Sequence, residues 1–237
     1  MDSSLGERFA DLGRDRHLLG RSSTAERVAA ILRDRITVGQ LPPGTRLVEE
    51  AIGDALGVSR NTLREAFRLL THERLLVHEL NRGVFVRTLS AEDVVELYRV
   101  RRMIEIAALR SLAGAPEPAD LATVAESVTA AERAAKDGRW QDVGTANLRF
   151  HRALVELAGS SRIEEFMAQI LAELRLVFHV MKNPRRFHEP YIARNREILE
   201  AMQSGNIPSA ELMLKQYLDD AETQLVQAHA ELSGAEG

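Results

Sequence analysis

The chain contains no cysteine, so disulfides, thiolate metal ligands and cysteine nucleophiles are excluded at once. Lysine is nearly missing too: of 31 basic residues only Lys136, Lys182 and Lys215 are not arginine. Beside the many alanines, that bias reads mainly as GC-rich coding. No window approaches the ~18 consecutive apolar residues of a membrane helix. Residues 1–20 never build the apolar stretch of a signal peptide, so a soluble cytoplasmic protein is expected, with no membrane partner. There is no G-x-G-x-x-G or Walker loop, no Ser/His/Asp spacing and no paired-carboxylate motif, which argues against an enzyme. Internal repeats and low-complexity tracts are absent as well. What remains is an ordinary globular composition, 45% hydrophobic and 28% charged over 237 residues, enough for one large or two ordinary domains.

The net charge of −4 is unevenly spread. Residues 1–88 carry 14 Arg against 12 acids, a net of +2, while residues 89–237 carry 17 bases against 23 acids, a net of −6. A mildly basic first part and an acidic second one place any polyanion on the first. Residues 1–22 are polar and aperiodic and read as a flexible tail. Residues 23–88 and 91–232 read as two domains.

In the first domain Thr24 reads as a helix N-cap, followed by Val28, Ile31, Leu32 and Ile36 at helical spacing. Pro42-Pro43-Gly44 forms a turn. A short helix over Glu49–Leu56 ends at Gly57, and Ser59 opens a third helix with Leu63, Phe67 and Leu70 inward. Leu76–Leu80 and Val84–Arg87 read as strands around an Asn81-Arg82-Gly83 turn. Helix, helix, tight turn, helix and hairpin make a winged helix-turn-helix. The third helix turns Arg60, Asn61, Arg64 and Arg68 outward, and cations at a helix N-terminus oppose its dipole by ~0.3–1 kcal/mol each. An anion would offset that cost. Ser59 and Thr62 hydroxyls and free backbone N–H groups suit phosphate oxygens, and Arg reads guanine bidentately in the major groove. Arg46 after the Pro-Pro-Gly turn and Arg82 at the hairpin tip lie where flanking backbone or minor groove would run. The alternative is an ordinary solvated Arg-rich face.

Leu-Pro-Pro-Gly-Thr-Arg-Leu, Leu-Gly-Val-Ser-Arg, Thr-Leu-Arg-Glu-Ala and Arg-Gly-Val-Phe-Val, in that order over residues 41–86, resemble the DNA-binding domain of GntR-family bacterial regulators. The resemblance implies that Arg46, Arg60 and Arg64 contact DNA and that Gly83 approaches the minor groove. Six further helices, expected near 91–113, 118–137, 140–158, 161–182, 188–204 and 207–232, resemble the all-helical FCD domain of the FadR subgroup. That likeness runs through Leu97-Tyr98-Arg99-Val100-Arg101 with Glu105, Phe150-His151-Arg152-Ala153-Leu154 and Arg196-Glu197-Ile198-Leu199-Glu200-Ala201. The fold class is therefore mainly α, a winged helix with a small hairpin followed by a helical bundle. The subgroup implies a homodimer on an inverted-repeat operator and a small-molecule effector, with ligand-released repression the commoner mode. A sequence-nonspecific architectural DNA protein fits a single basic winged helix on an acidic body poorly.

Many FCD domains hold a divalent metal through one Asp and three His. By resemblance those positions here are Asn147, His151, Asn195 and Tyr217. Periodicity alone also points all four into the bundle: Asn147 and His151 with Val143, Phe150 and Leu154, Asn195 with Ile192, Ile198 and Met202, and Tyr217 with Met213, Leu214 and Ala221. An amide and a phenol are poor ligands beside carboxylate and imidazole, so no metal cofactor is expected, although His179 or His188 offer substitutes. Arg101 lies on a core face with Val94, Leu97, Ile104 and Ala108, where an unpaired charge is costly. It either pairs with Glu105, or reaches solvent, or faces the carboxylate or phosphate of an effector, with Asn147, His151, Asn195 and Tyr217 supplying neutral hydrogen bonds.

Overall fold

The computed structural model describes residues 23–37, 39–112, 116–179 and 183–234, with the side chains of His179 and residues 231–234 outside the description. The expected tail, residues 1–22, also lies outside the described residues. Helix α1 (Thr24–Thr37) is capped one residue earlier than the sequence suggests. Ser23 Oγ accepts from Glu26 N at 3.2 Å and Glu26 Oε2 accepts from Ser23 N at 2.8 Å, the reciprocal pair of a capping box. Strand β1 (Arg46–Leu47) leads into α2 (Glu49–Leu56), which stops where Gly57 turns left-handed at φ 64°. Ser59 then caps α3 (Arg60–His72), whose inner face is Leu63, Ala66, Phe67 and Leu70.

Strands β2 (Leu76–Glu79) and β3 (Gly83–Val86) form the hairpin. Asn81 and Gly83 take the positive φ values, 60° and 112°, that the tight turn needs. The sheet has a third strand that the sequence reading did not anticipate. Its order is β1-β3-β2, all antiparallel, with Arg46 opposite Phe85 and Leu47 opposite Val84. Two residues are too short for an alternation pattern to register, so only the pairing reveals the strand.

The second part is α4 (Ala91–Arg110), α5 (Ala122–Lys136), α6 (Trp140–Glu156), α7 (Ser161–His179), α8 (Pro184–Gln203) and α9 (Ile207–Gly234). Nine helices and one three-stranded sheet are thus present among the described residues, a mainly α fold as expected. Helix α5 starts later than expected because residues around Glu117–Leu121 close turns first. Helix α8 starts earlier, since Asn183 caps it and Pro184 sits in its first turn, where no N–H is required. Pro190 lies inside α8 and leaves the Arg186 carbonyl without its helical donor. Gln224 of α9 fills the gap, donating from Nε2 at 3.2 Å, while its Oε1 accepts from Tyr191 Oη at 2.9 Å.

Helix α6 is the hub of the bundle, packed against α4, α5, α7 and α8, while α9 closes it against α4 and α8. Along α6 the residues Val143, Gly144, Ala146, Asn147, Leu148, Phe150, His151, Ala153, Leu154 and Val155 are all buried. One continuous apolar cluster runs from Val28 and Leu32 of the winged helix through Leu89 and Leu174 to Leu225 of α9.

Candidate functional site

Two regions concentrate the chemistry. On the winged helix, Arg60, Asn61, Arg64 and Arg68 are exposed along α3, and α3 has no acid in its first turn. Ser59 Oγ accepts from Thr62 N at 3.2 Å and lies 2.8 Å from Thr62 Oγ1. These two hydroxyls therefore first serve the helix cap, with one O–H left to turn outward. Arg64 Nε donates to both oxygens of Glu49, at 3.0 and 3.2 Å, across the gap between α3 and α2. Neither Arg46 nor Arg60 has a carboxylate partner among the described residues, unlike Arg82, which pairs with Glu79. The β1–β3 pairing carries Arg46 to the wing: a side chain at Gly83 would stand 3.5 Å from Arg46 Nε. Arg82 lies over the Phe85 ring, 5.5 Å from its centroid. So Arg46, Arg82 and Gly83 form one cluster at the wing, and Arg60, Asn61 and Arg64 another at the start of α3.

The second region is sealed. Arg101, Glu105, Asn147, His151, Asn195 and Tyr217 come from α4, α6, α8 and α9 and are buried, none more than 7% exposed. Glu105 divides its carboxylate between two partners. Oε1 accepts from Arg101 Nε at 2.8 Å, and Oε2 lies 2.6 Å from His151 Nδ1. Of the three fates open to Arg101, reaching solvent is thereby removed and pairing with Glu105 is found. Burial alone would raise the Glu105 carboxyl, but the Arg101 guanidinium and His151 hold it below its usual range. Burial and the Arg101 charge push the His151 imidazole down, against the pull of Glu105. The imidazole is therefore neutral, donating Nδ1–H to an ionised carboxylate and leaving a bare lone pair on Nε2. Asn147 Oδ1 accepts from Asn195 Nδ2 and from Tyr217 Oη, both at 2.8 Å. Burial raises the Tyr217 phenol well above its ordinary value, so it stays protonated and donates. Tyr98 roofs the group, its ring 4.7 Å from the Arg101 guanidinium carbon.

Within this sealed network three buried polar atoms have no partner: Arg101 Nη2, His151 Nε2 and Asn195 Oδ1. The four positions that by resemblance correspond to FCD metal ligands are thus brought together, as one imidazole, the Asn147 amide oxygen already doubly occupied, the Asn195 amide oxygen without a partner, and a protonated phenol. A guanidinium fills the role of local cation. This donor set does not fit a divalent metal, which needs deprotonated carboxylate or several imidazoles.

His188 does not join the network. It lies on α8 against Gly144, about one turn before Asn147 on α6, where its ring occupies the space a side chain at Gly144 would need, a Cβ there falling 2.7 Å from His188 Nε2. Phe178 and Phe187 face it edge-on, at centroid distances of 4.9 Å. Burial, aided by the nearby Arg175 charge, drops its pKa to about 4. The unfolded chain binds a proton here below pH ~6.5, whereas the folded one does so only near its depressed value. Stability is then complete above that pH and falls by up to about 3 kcal/mol as pH drops from ~6.5 to ~4. Urea denaturation of the His188→Gln variant across this range should show a shallower pH dependence. An unchanged slope would mean that the imidazole is charged or solvated.

Reading helix and wing backed by a bundle with a closed polar core define a DNA-binding regulator with its own sensing domain. Residues 24–86 match the bacterial regulatory proteins of the gntR family, and residues 96–220 match the FCD domain. The chain belongs to the GntR family, in the FadR-like group that carries an FCD domain. It is 48% identical to a GntR transcriptional regulator from Rhodococcus sp. RHA1 of known crystal structure, with a TM-score of 0.81 over 87% of this chain and 99% of that one. An HTH-type transcriptional regulator from an unstable DNA locus of Streptomyces ambofaciens is 27% identical over 207 residues, 84% of each chain. The gluconate operon transcriptional repressor of Bacillus subtilis is 38% identical over 87 residues, 37% of this chain and 35% of the repressor. The protein is a DNA-binding transcriptional regulator, not an enzyme. No helix among the described residues is long and apolar enough to cross a membrane.

Proposed function

We propose that the protein is a cytoplasmic, homodimeric repressor that holds an inverted-repeat operator and releases it when a small anionic metabolite enters the FCD domain. The two-fold symmetry of such a dimer matches operator symmetry. Arg60 and Arg64, with Asn61, read bases from the start of α3, while Ser59, Thr62, Arg46, Arg82 and Gly83 engage backbone and minor groove. Domains 23–88 and 91–232 divide the labour, the second sensing and dimerising. Repression is the mode named for the gluconate operon relative.

The observation that carries the effector site is the set of three unpartnered buried atoms, Arg101 Nη2, His151 Nε2 and Asn195 Oδ1. Left bare, buried polar groups cost about 1–3 kcal/mol each. A ligand oxygen accepting from Arg101, with hydroxyl or amine donors toward His151 and Asn195, would satisfy all three. The site then works without a metal, through Arg101, Asn147, His151, Asn195 and Tyr217 alone.

Native mass spectrometry of freshly purified protein tests this directly, followed by thermal-shift screening of carboxylates and phosphorylated metabolites. The expected result is a metal-free dimer whose melting temperature rises with an anion, and no such rise in Arg101→Met. A dimer holding one divalent ion per chain would overturn the metal-free reading.

A further inference from the structure

Two residues on one turn of α7 reach out of the bundle to the DNA-binding half. Glu173, with its side chain only 3% exposed, accepts from Arg87 Nη1 at 2.7 Å and has Arg74 Nε 3.9 Å away. Arg87 belongs to the connection after the wing, and its Nη2 reaches Asp93 Oδ1 at 2.6 Å. Asp93 is the capping-box residue of α4, the helix that carries Arg101 and Glu105. The connection is thus pinned at Arg87 to both α7 and the start of α4.

Arg175 makes the second contact, and a different one. Its Nε donates to the Thr37 carbonyl at the C-terminus of α1, 3.0 Å away, and its Nη1 donates to Thr145 Oγ1 on α6 at 2.7 Å. Thr145 in turn donates to the Gln141 carbonyl at 3.0 Å, which fixes its hydroxyl and turns its lone pairs to Arg175. No carboxylate forms an ion pair with Arg175 among the described residues. Burial pushes its pKa down, opposed by the more distant Asp142 and reinforced by Arg149. A half-buried cation held, among the described residues, by one carbonyl and one hydroxyl on two different elements is sensitive to either one moving. Losing one acceptor leaves a donor unsatisfied away from water, and hydrogen bonds weaken steeply with small misalignments.

Thr145 lies two residues before Asn147 on the same rigid helix, half a turn from the sealed polar network. We propose that Arg175 is the coupling residue of this regulator: it reads the position of α6 through Thr145 and holds the end of α1, and with it the winged helix, accordingly. The Arg87–Glu173 pair serves as the pivot, so that release at Arg175 tilts the winged helix without detaching it. This rests on the reading of Asn147 and His151 as facing the effector, since engagement there shifts or turns α6.

The test uses the full chain and a duplex selected from random-sequence DNA by the wild-type protein. Thr145→Val removes the acceptor while keeping the shape, Thr145→Ser restores the hydroxyl, and Arg175→Gln removes the bridge. Thr145→Val and Arg175→Gln should shift duplex affinity in the same direction, each by about fivefold or more. The double variant should shift no further than the larger single one, and Thr145→Ser should match wild type. Hydrogen exchange at the end of α1, residues 33–37, should also quicken in Thr145→Val, although residue 145 belongs to α6. Additive effects of the two substitutions, or wild-type affinity in both Thr145→Val and Thr145→Ser, would overturn the coupling. Neither measurement needs the effector. An additive cycle in a protein that an anion still stabilises removes the coupling alone, whereas a non-additive cycle in a protein that no anion stabilises removes only the effector site.

Discussion

Replacing Glu105 with Gln is expected to lower stability by about 3–5 kcal/mol, the range for removing one member of a buried ion pair. In a chain of this length that amounts to a melting temperature lower by about 10 °C. The loss comes from what remains: Arg101 would be a fully buried guanidinium with no anion, and His151 Nδ1 would face an amide. Removing both charges tells the pair's stability apart from its use. In Arg101→Met/Glu105→Leu neither charge remains, and apolar replacements of buried pairs are commonly neutral or stabilising. That double variant should regain most of the melting temperature and still fail to respond to any anion that stabilises wild type. If the single Gln variant melts within a degree or two of wild type, water or a ligand is already shielding Arg101, and the sealed network described above is wrong.

Loss of operator recognition in Arg60→Ala is the second large effect, by about 1–3 kcal/mol if the side chain reads a base bidentately. The same holds for Arg64→Ala, with the added consequence that Glu49, freed of its partner, presents a bare carboxylate to DNA. Arg46→Ala and Arg82→Ala should behave differently. Each should weaken selected and random duplexes about equally and reduce the salt slope by about one. Fluorescence anisotropy at several salt concentrations separates the two classes. Should Arg60→Ala lose the same factor on random and selected DNA, Arg60 is a backbone contact and the bases are read elsewhere.

How far the sequence alone reached depended on the length over which each signal was written. The winged helix was legible because Ser59, Gly57, the 3.6-residue spacing of Leu63, Phe67 and Leu70, and the Asn81-Arg82-Gly83 turn are local instructions. Strand β1 was not legible, because two residues carry no period. The convergence of Asn147, His151, Asn195 and Tyr217 was foreseeable from their helical faces, since each is spaced with buried apolar neighbours. The division of one carboxylate between Arg101 and His151 was not, for Glu105 and His151 are 46 residues apart and nothing local couples them. Arg175 gave no signal at all. In an arginine-rich chain nothing local distinguishes it, and the meeting of α1, α6 and α7 gives it neighbours on both sides.

The apolar cluster that runs without interruption from Val28 to Leu225 has a further meaning for how such a regulator fails. The reading head does not own a separate reservoir of stability; what loosens the bundle loosens it as well. A genetic screen for cells that have lost this regulation would therefore return substitutions at Leu174, Phe150 or Leu218 alongside those at Arg60 and Arg64. The interior ones would reduce occupancy of the operator by thinning the population of intact molecules, leaving each surviving molecule as tight a binder as before. Inheritance would treat the whole interior as part of the switch.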